Sequence, residues 1–134
     1  RQERARKTSR EGQKATLRLT MQKQYRLTGS RSFDYLYRHG AVYRNALLVL
    51  YVVKSRFSTP KVGFSVGKKV GDSVRRNRTK RRLKEAFRLE MGRVATGQNY
   101  VVVARSGSAE RSYAELKAAM LSLLKQANSL SEEV

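Results

Sequence analysis

Between Ala46 and Lys54 the chain reads ALLVLYVVK, apolar at almost every position. A run without alternation predicts a strand covered on both faces, near the middle of a sheet. KVGFSVGKK, residues 61–69, alternates instead. Val62, Phe64 and Val66 point one way, and Gly63, Ser65 and Gly67 the other. The glycine side is bare, so some group must pack on that backbone or approach it closely. SRFSTP, between the two strands, holds the only proline, Pro60. It reads as a turn, and the two strands with it predict an antiparallel pair. GQNYVVVARSG supplies a third clear strand over residues 98–105, and Val42–Asn45 a short extra one.

The helical segments show a different period. Ser30 is a candidate N-cap, with Phe33, Leu36 and Tyr37 at i, i+3 and i+4 behind it. Gly40 is expected to end that helix in a left-handed C-cap. A second helix follows the glycine strand over residues 74–91, capped by Asp72 or Ser73. Because it lies between two strands, it predicts a parallel crossover. Ser112 and Glu115 form a capping box for a third helix. Its Tyr113, Leu116, Met120, Leu123, Leu124 and Ala127 recur at helical spacing and read as core. The elements run α-β-β-(β)-α-β-α. The fold class is α+β, a mostly antiparallel sheet sandwiched by helices. Residues 1–24 read as a mobile basic arm, 25–127 as one domain and 128–134 as a polar tail.

Charge changes this picture most. The 134 residues carry 30 Lys+Arg against 10 Asp+Glu, a formal net charge of +20. Self-repulsion on that scale opposes compaction unless a polyanion compensates it, and nucleic acid is the first candidate, ahead of an anionic membrane surface. No cysteine is present, which excludes disulfides and thiolate metal sites. No apolar run approaches the roughly 18–20 residues of a membrane span. The basic N-terminus lacks the apolar segment of a secretory signal, and a soluble intracellular protein is expected. The chain opens on Arg1 rather than Met, as a trimmed chain would.

The charge concentrates in SVRRNRTKRRLKEAFR, residues 73–88. At 100° per residue, Thr79, Leu83, Ala86 and Phe87 gather on one side, with Arg76 at its margin. Asn77, Arg81, Lys84 and Arg88 gather opposite. Arg76, Lys80, Lys84 and Arg88 form an i, i+4 stripe of like charge, each pair costing about 0.2–0.5 kcal/mol. Arg81–Glu85 offers the only local relief. Arg75, Arg76 and Arg78 occupy the first turn, where the helix dipole opposes cations by about 0.3–1 kcal/mol each. Stability alone would place Asp or Glu there. Arginines at that end suit a phosphate held by both free backbone N–H groups and guanidinium forks. Asn77 adds an acceptor, which arginine lacks.

Catalytic constellations are missing from the pattern. GFSVGKKVG is one residue too short for a phosphate-binding G-x-x-x-x-G-K-[ST] loop, and Lys69 stands where Ser or Thr is needed. His39 is the one histidine, at a helix end, and the acidic residues are scattered. The polypeptide is expected to bind, with chemistry belonging to its partner. Two other readings compete: a structural RNA-binding protein of ribosomal type, and a protein nuclease acting alone.

FDYLYRHG (33–40), VGFSVGKKVGDSVRRNRTKRRLKEAFR (62–88) and YVVVAR (100–105), in this order and spacing, resemble the protein component of bacterial ribonuclease P. Arg76-Asn77-Arg78, followed by Lys80, Arg81 and Lys84, is similar to that family's RNR signature. The resemblance implies a cytoplasmic bacterial accessory subunit. Its catalytic partner would be an RNA that, with Mg²⁺ bound chiefly by that RNA, removes the 5′ leader of precursor tRNA. The protein would hold no catalytic residue and no metal of its own, and would raise affinity for substrate and Mg²⁺. It would need no protein partner and no membrane, with one protein per RNA. The resemblance also implies a left-handed βαβ crossover, against the usual hand. It assigns RNA binding to Lys68, Lys69, Arg75, Arg76, Asn77, Arg78, Lys80, Arg81 and Lys84. It assigns a leader cleft to Arg26, Phe33, Tyr37, Tyr51, Lys69, Lys80 and Lys84. Aromatic stacking beside a cationic track is how single-stranded RNA is held, which gives that cleft independent physical sense. Thr79 and Arg82 stand where relatives commonly carry an apolar residue, which bears on how the basic helix packs.

Overall fold

The computed structural model describes residues 23–130; nearly all of the basic arm and the last four residues lie outside the described residues. Three helices are present: α1 (Ser30–His39), α2 (Ser73–Leu89) and α3 (Tyr113–Gln126). Four strands form one sheet: β1 (Ala41–Arg44), β2 (Leu48–Lys54), β3 (Lys61–Val66) and β4 (Gln98–Ala104). The spatial order is β1-β2-β4-β3. β1–β2 and β2–β4 are antiparallel, and β3–β4 is parallel, joined through α2. The α+β sandwich and its element order are those expected from the pattern, the short strand β1 included.

One pairing differs. β2 and β3 are not neighbours; β4 lies between them. Tyr100, Val101 and Val102 of β4 are all buried, so both of its faces need cover. That strand takes the interior place, and β3, bare on one side at Gly63, takes the edge. The free edge of β3 is partly covered from before α1, where Leu27 N–H donates to the Val62 carbonyl at 3.0 Å.

The register sorts the sheet into rows. Leu50, Val102 and Phe64 lie side by side, and Tyr51, Val101 and Gly63 form the next row. The first row faces the main core, which α2 and α3 close with Leu83, Ala86, Phe87, Leu116, Met120, Leu123 and Leu124. The second row faces α1, whose Leu36 is buried with Leu27 and Val101. α1 therefore covers one face of the sheet, and the other two helices cover the opposite face.

The caps follow local chemistry, with two corrections. Asp72 caps α2, its Oδ1 accepting from Arg75 N–H at 2.9 Å. The Ser112–Glu115 capping box of α3 forms in both directions. Ser30 is not a cap: it is the first helical residue, and Gly29 precedes it at φ 89° with no side-chain bond. Gly40 is not left-handed either, standing at φ −79° and ψ 153°. Crowding explains the glycine there, since a Cβ would meet the Leu36 carbonyl oxygen at 2.7 Å and that of Val52 at 3.1 Å.

The packed body also runs past Ala127, into the segment expected to be a polar tail. Ser129 is buried, its carbonyl accepts from Ala95 N–H at 2.8 Å, and Leu130 bridges to Val94. Among the described residues no helix is long and apolar enough to cross a membrane.

Candidate nucleic-acid interface

α2 buries Thr79, Leu83, Ala86 and Phe87, as its periodicity requires. Thr79 is tolerated in the core because its hydroxyl donates to the Arg75 carbonyl one turn back, at 2.9 Å. Arg82 avoids burial by donating Nη1 to the Arg111 carbonyl at 2.8 Å. These two bonds answer the packing question raised by the polar residues at those positions.

The helix then offers three cationic flanks. Asn77 and Arg81 are exposed and face outward. Arg75, Arg78 and Arg82 flank a hollow of about 490 Å³ shared with Arg111 and the start of α3, where Glu110 and Glu115 balance part of the charge. The Nε of Arg78 is buried there and makes no hydrogen bond within the described protein. Lys80 and Lys84 turn the other way, toward α1.

That last flank meets a second hollow, of about 290 Å³, lined by Arg26, Gly29, Phe33, Gly63, Lys80 and Lys84 among others, with no carboxylate in its wall. No ion pair among the described residues reaches Lys80 or Lys84. The Lys84 ammonium is held below the usual lysine range, first by partial burial, then by Lys80 and Arg26. Arg26 is placed beside the hollow by backbone, through its bridge to Val62. Glu85 does not relieve Arg81 as the spacing suggested. It forms a bidentate pair with Arg88, at 2.6 and 2.9 Å, because a spacing of three residues brings that planar fork into line.

Aromatic rings continue the hollow along the sheet. Phe33 and Tyr37 lie 6.4 Å apart between centroids, and Tyr37 meets Tyr51 edge-on at 4.9 Å. Phe33 sits on the bare position of β3: a Cβ on Gly63 would lie 2.4 Å from its Cζ. The row Tyr51–Val101–Gly63 is thus matched by Tyr37, Leu36 and Phe33 of α1. The missing side chain at Gly63 makes room for the largest ring. Tyr37 keeps 38% of its surface exposed, so the ring cluster is open to solvent.

Arg26, Phe33, Tyr37, Tyr51, Lys80 and Lys84 are therefore brought together. Lys68 and Lys69 are not in this wall; they are exposed on the Lys68–Val70 turn before α2. Backbone pairing, rather than any local motif, delivers Arg26.

An open aromatic row beside cations without carboxylate partners combines stacking faces with positive charge. The family model described as ribonuclease P matches residues 21–128. The chain belongs to the ribonuclease P protein family. Membership carries a role in tRNA processing as the protein component of a ribonucleoprotein. The ribonuclease P protein component of Clostridium botulinum strain 657 is 41% identical over 106 residues, covering 78% of this chain and 96% of that protein. That of Alkaliphilus metalliredigens is 36% identical over 111 residues, covering 83% and 100%. Among solved structures, the Staphylococcus aureus RNase P protein superposes with a TM-score of 0.75 at 25% identity, covering 80% of this chain and 98% of that one. The Thermotoga maritima RNase P protein gives 0.70 at 28% identity, covering 75% and 96%.

The ribonuclease P fold here carries a cation cluster that costs stability. Lys84→Gln removes the like-charge pair with Lys80, worth about 0.2–0.5 kcal/mol, and the repulsion from Arg26. The variant is expected to melt slightly higher than the parent while binding RNA more weakly. Paired thermal melts and RNA titrations check this, and a lower melting temperature would show that Lys84 stabilises the fold.

Proposed function

We propose that this chain is the RNA-binding, non-catalytic subunit of ribonuclease P, and that it holds the single-stranded 5′ leader of precursor tRNA in the cleft between α1 and β3. The observation that carries the reading is the open row Phe33–Tyr37–Tyr51 beside Arg26, Lys80 and Lys84, three cations with no carboxylate in their wall. Bases stack on the rings, and leader phosphates neutralise the lysines. The outward Asn77–Arg81 flank and the Arg75–Arg78–Arg82 flank face the catalytic RNA, with Lys68 and Lys69 extending that contact. Arginine forks there bind backbone phosphates and fix register, without reading sequence.

Cleavage belongs to the RNA. The described residues hold no grouping of three or more His, Cys, Asp or Glu side chains that could hold a metal. In this reading Mg²⁺ is bound chiefly by the RNA subunit. The protein contributes by adding leader contacts and by screening phosphate repulsion where RNA and substrate meet, which raises affinity for substrate and for Mg²⁺. One protein per RNA suffices for this geometry.

Tyr51→Ala tests the cleft. In the reconstituted holoenzyme it is expected to weaken precursor tRNA about tenfold, at the low end for one stacked base, and mature tRNA hardly at all. Equal losses on both substrates would remove the cleft assignment. Cleavage by the purified polypeptide without the RNA subunit would remove the non-catalytic reading.

A further inference from the structure

α1 has a second side. Leu36 is the residue seated on the sheet, and helical rotation puts Tyr37 about 100° to one side of it and Tyr35 about 100° to the other. Tyr37 belongs to the cleft already described. Tyr35 lines a separate hollow of about 360 Å³ behind the helix, together with Arg31, Lys54, Arg56, Phe57 and Asn99.

Its chemistry repeats that of the cleft. Tyr35 and Phe57 are 54% and 61% exposed, which leaves ring faces available for stacking. His39 props the Tyr35 ring at 4.5 Å between centroids, and the Arg56 guanidinium lies 5.4 Å from the Phe57 centroid. Arg31, Lys54 and Arg56 supply three cations, and no carboxylate lines the wall. The arginine flank of α2 differs in this respect, since Glu110 and Glu115 stand among its cations.

The two hollows share one lining residue. Leu27 lines both, just before the Thr28–Gly29 turn into α1. A strand leaving the Phe33 side need cross only the start of one helix, a span of about 10–12 Å, to reach the Tyr35 side. We infer that the hollow formed by Tyr35, Phe57, Arg31, Lys54 and Arg56 binds the distal nucleotides of the same single-stranded leader, after it has passed over the start of α1. This rests on the leader reading of the near cleft. Two exposed rings take bases and three cations take phosphates, so the contact tolerates any sequence.

Leader length separates the two sites. The reconstituted holoenzyme is titrated with precursor tRNA carrying a short leader, confined to the near cleft, and with one whose leader continues beyond it. The parent protein is expected to bind the extended leader about tenfold more tightly, a gain typical of one or two stacked bases with phosphate contacts. In the double variant Tyr35→Ala/Phe57→Ala that ratio falls toward one. Tyr35→Phe/Phe57→Tyr, which keeps both rings, preserves it. A parent ratio of one, or a ratio unchanged in the double alanine variant, overturns the inference. So does an equal loss on mature tRNA, which would assign the hollow to the RNA subunit or to the tRNA body. Failure of the near cleft appears elsewhere, as a short leader indifferent to Tyr51→Ala.

Discussion

Phe33→Ala is expected to cost the holoenzyme about 1–3 kcal/mol of precursor tRNA affinity, roughly fivefold to more than a hundredfold, with mature tRNA nearly unaffected. Phe33 is shared by the two parts of the cleft. It lines the cationic hollow with Lys80 and Lys84, and it stands 6.4 Å from Tyr37 in the aromatic row. Truncation therefore removes a stacking surface and separates rings from cations. Gly63→Ala should reproduce much of the effect while leaving residue 33 unchanged, because the new methyl would lie only 2.4 Å from Phe33 Cζ and push the ring off its seat. The ring end can swing aside, so the fold survives while the cleft loses its floor. Binding titrations with precursor and mature tRNA check both variants. If Gly63→Ala left precursor binding intact, the seat of Phe33 on β3 would not be what shapes the cleft.

The second large effect lies on the opposite face of the sheet. Phe87 is fully buried, with the Phe64 ring 6.0 Å away nearly edge-on and the Tyr100 ring at 5.7 Å. Phe87→Ala is expected to lower unfolding stability by about 3–5 kcal/mol, through lost transfer energy and the cavity left behind. Domains of this kind hold only about 5–15 kcal/mol in total, and a charge of +20 works against compaction. The variant should unfold at much lower urea concentration with an unchanged m-value. Adding the RNA subunit should recover part of the loss, since a ligand that binds only the folded state stabilises it by mass action. A loss below about 1 kcal/mol would show that the core collapses around the vacancy.

These two expectations meet in α2. One side of that helix closes the core with Leu83 and Phe87, and another carries Lys80 and Lys84 into the cleft. Burial of the first side holds the second in place, against the like-charge repulsion along it. The stability supplied by the apolar side is what permits a cationic flank with no counter-ions of its own.

Much of this was legible along the chain. The unbroken apolar run of β2, the alternation of β3 and the 3.6-residue period of α2 and α3 are local patterns, and each predicted its element. The bare side of Gly63 required a neighbour, which the structure supplies as the Phe33 ring. What no local pattern contained was pairing at a distance. β4 separates β2 from β3 because the strand buried on both faces takes the interior place, and that choice depends on all four strands at once. The same assembly decides that Phe33 is the neighbour of Gly63 and that Arg26 stands beside Lys84. It also decides that Glu85 turns to Arg88 instead of Arg81. Side-chain period is set by the backbone of one segment. Which side chains converge is set by register and helix placement, and these exist only once the sheet has formed.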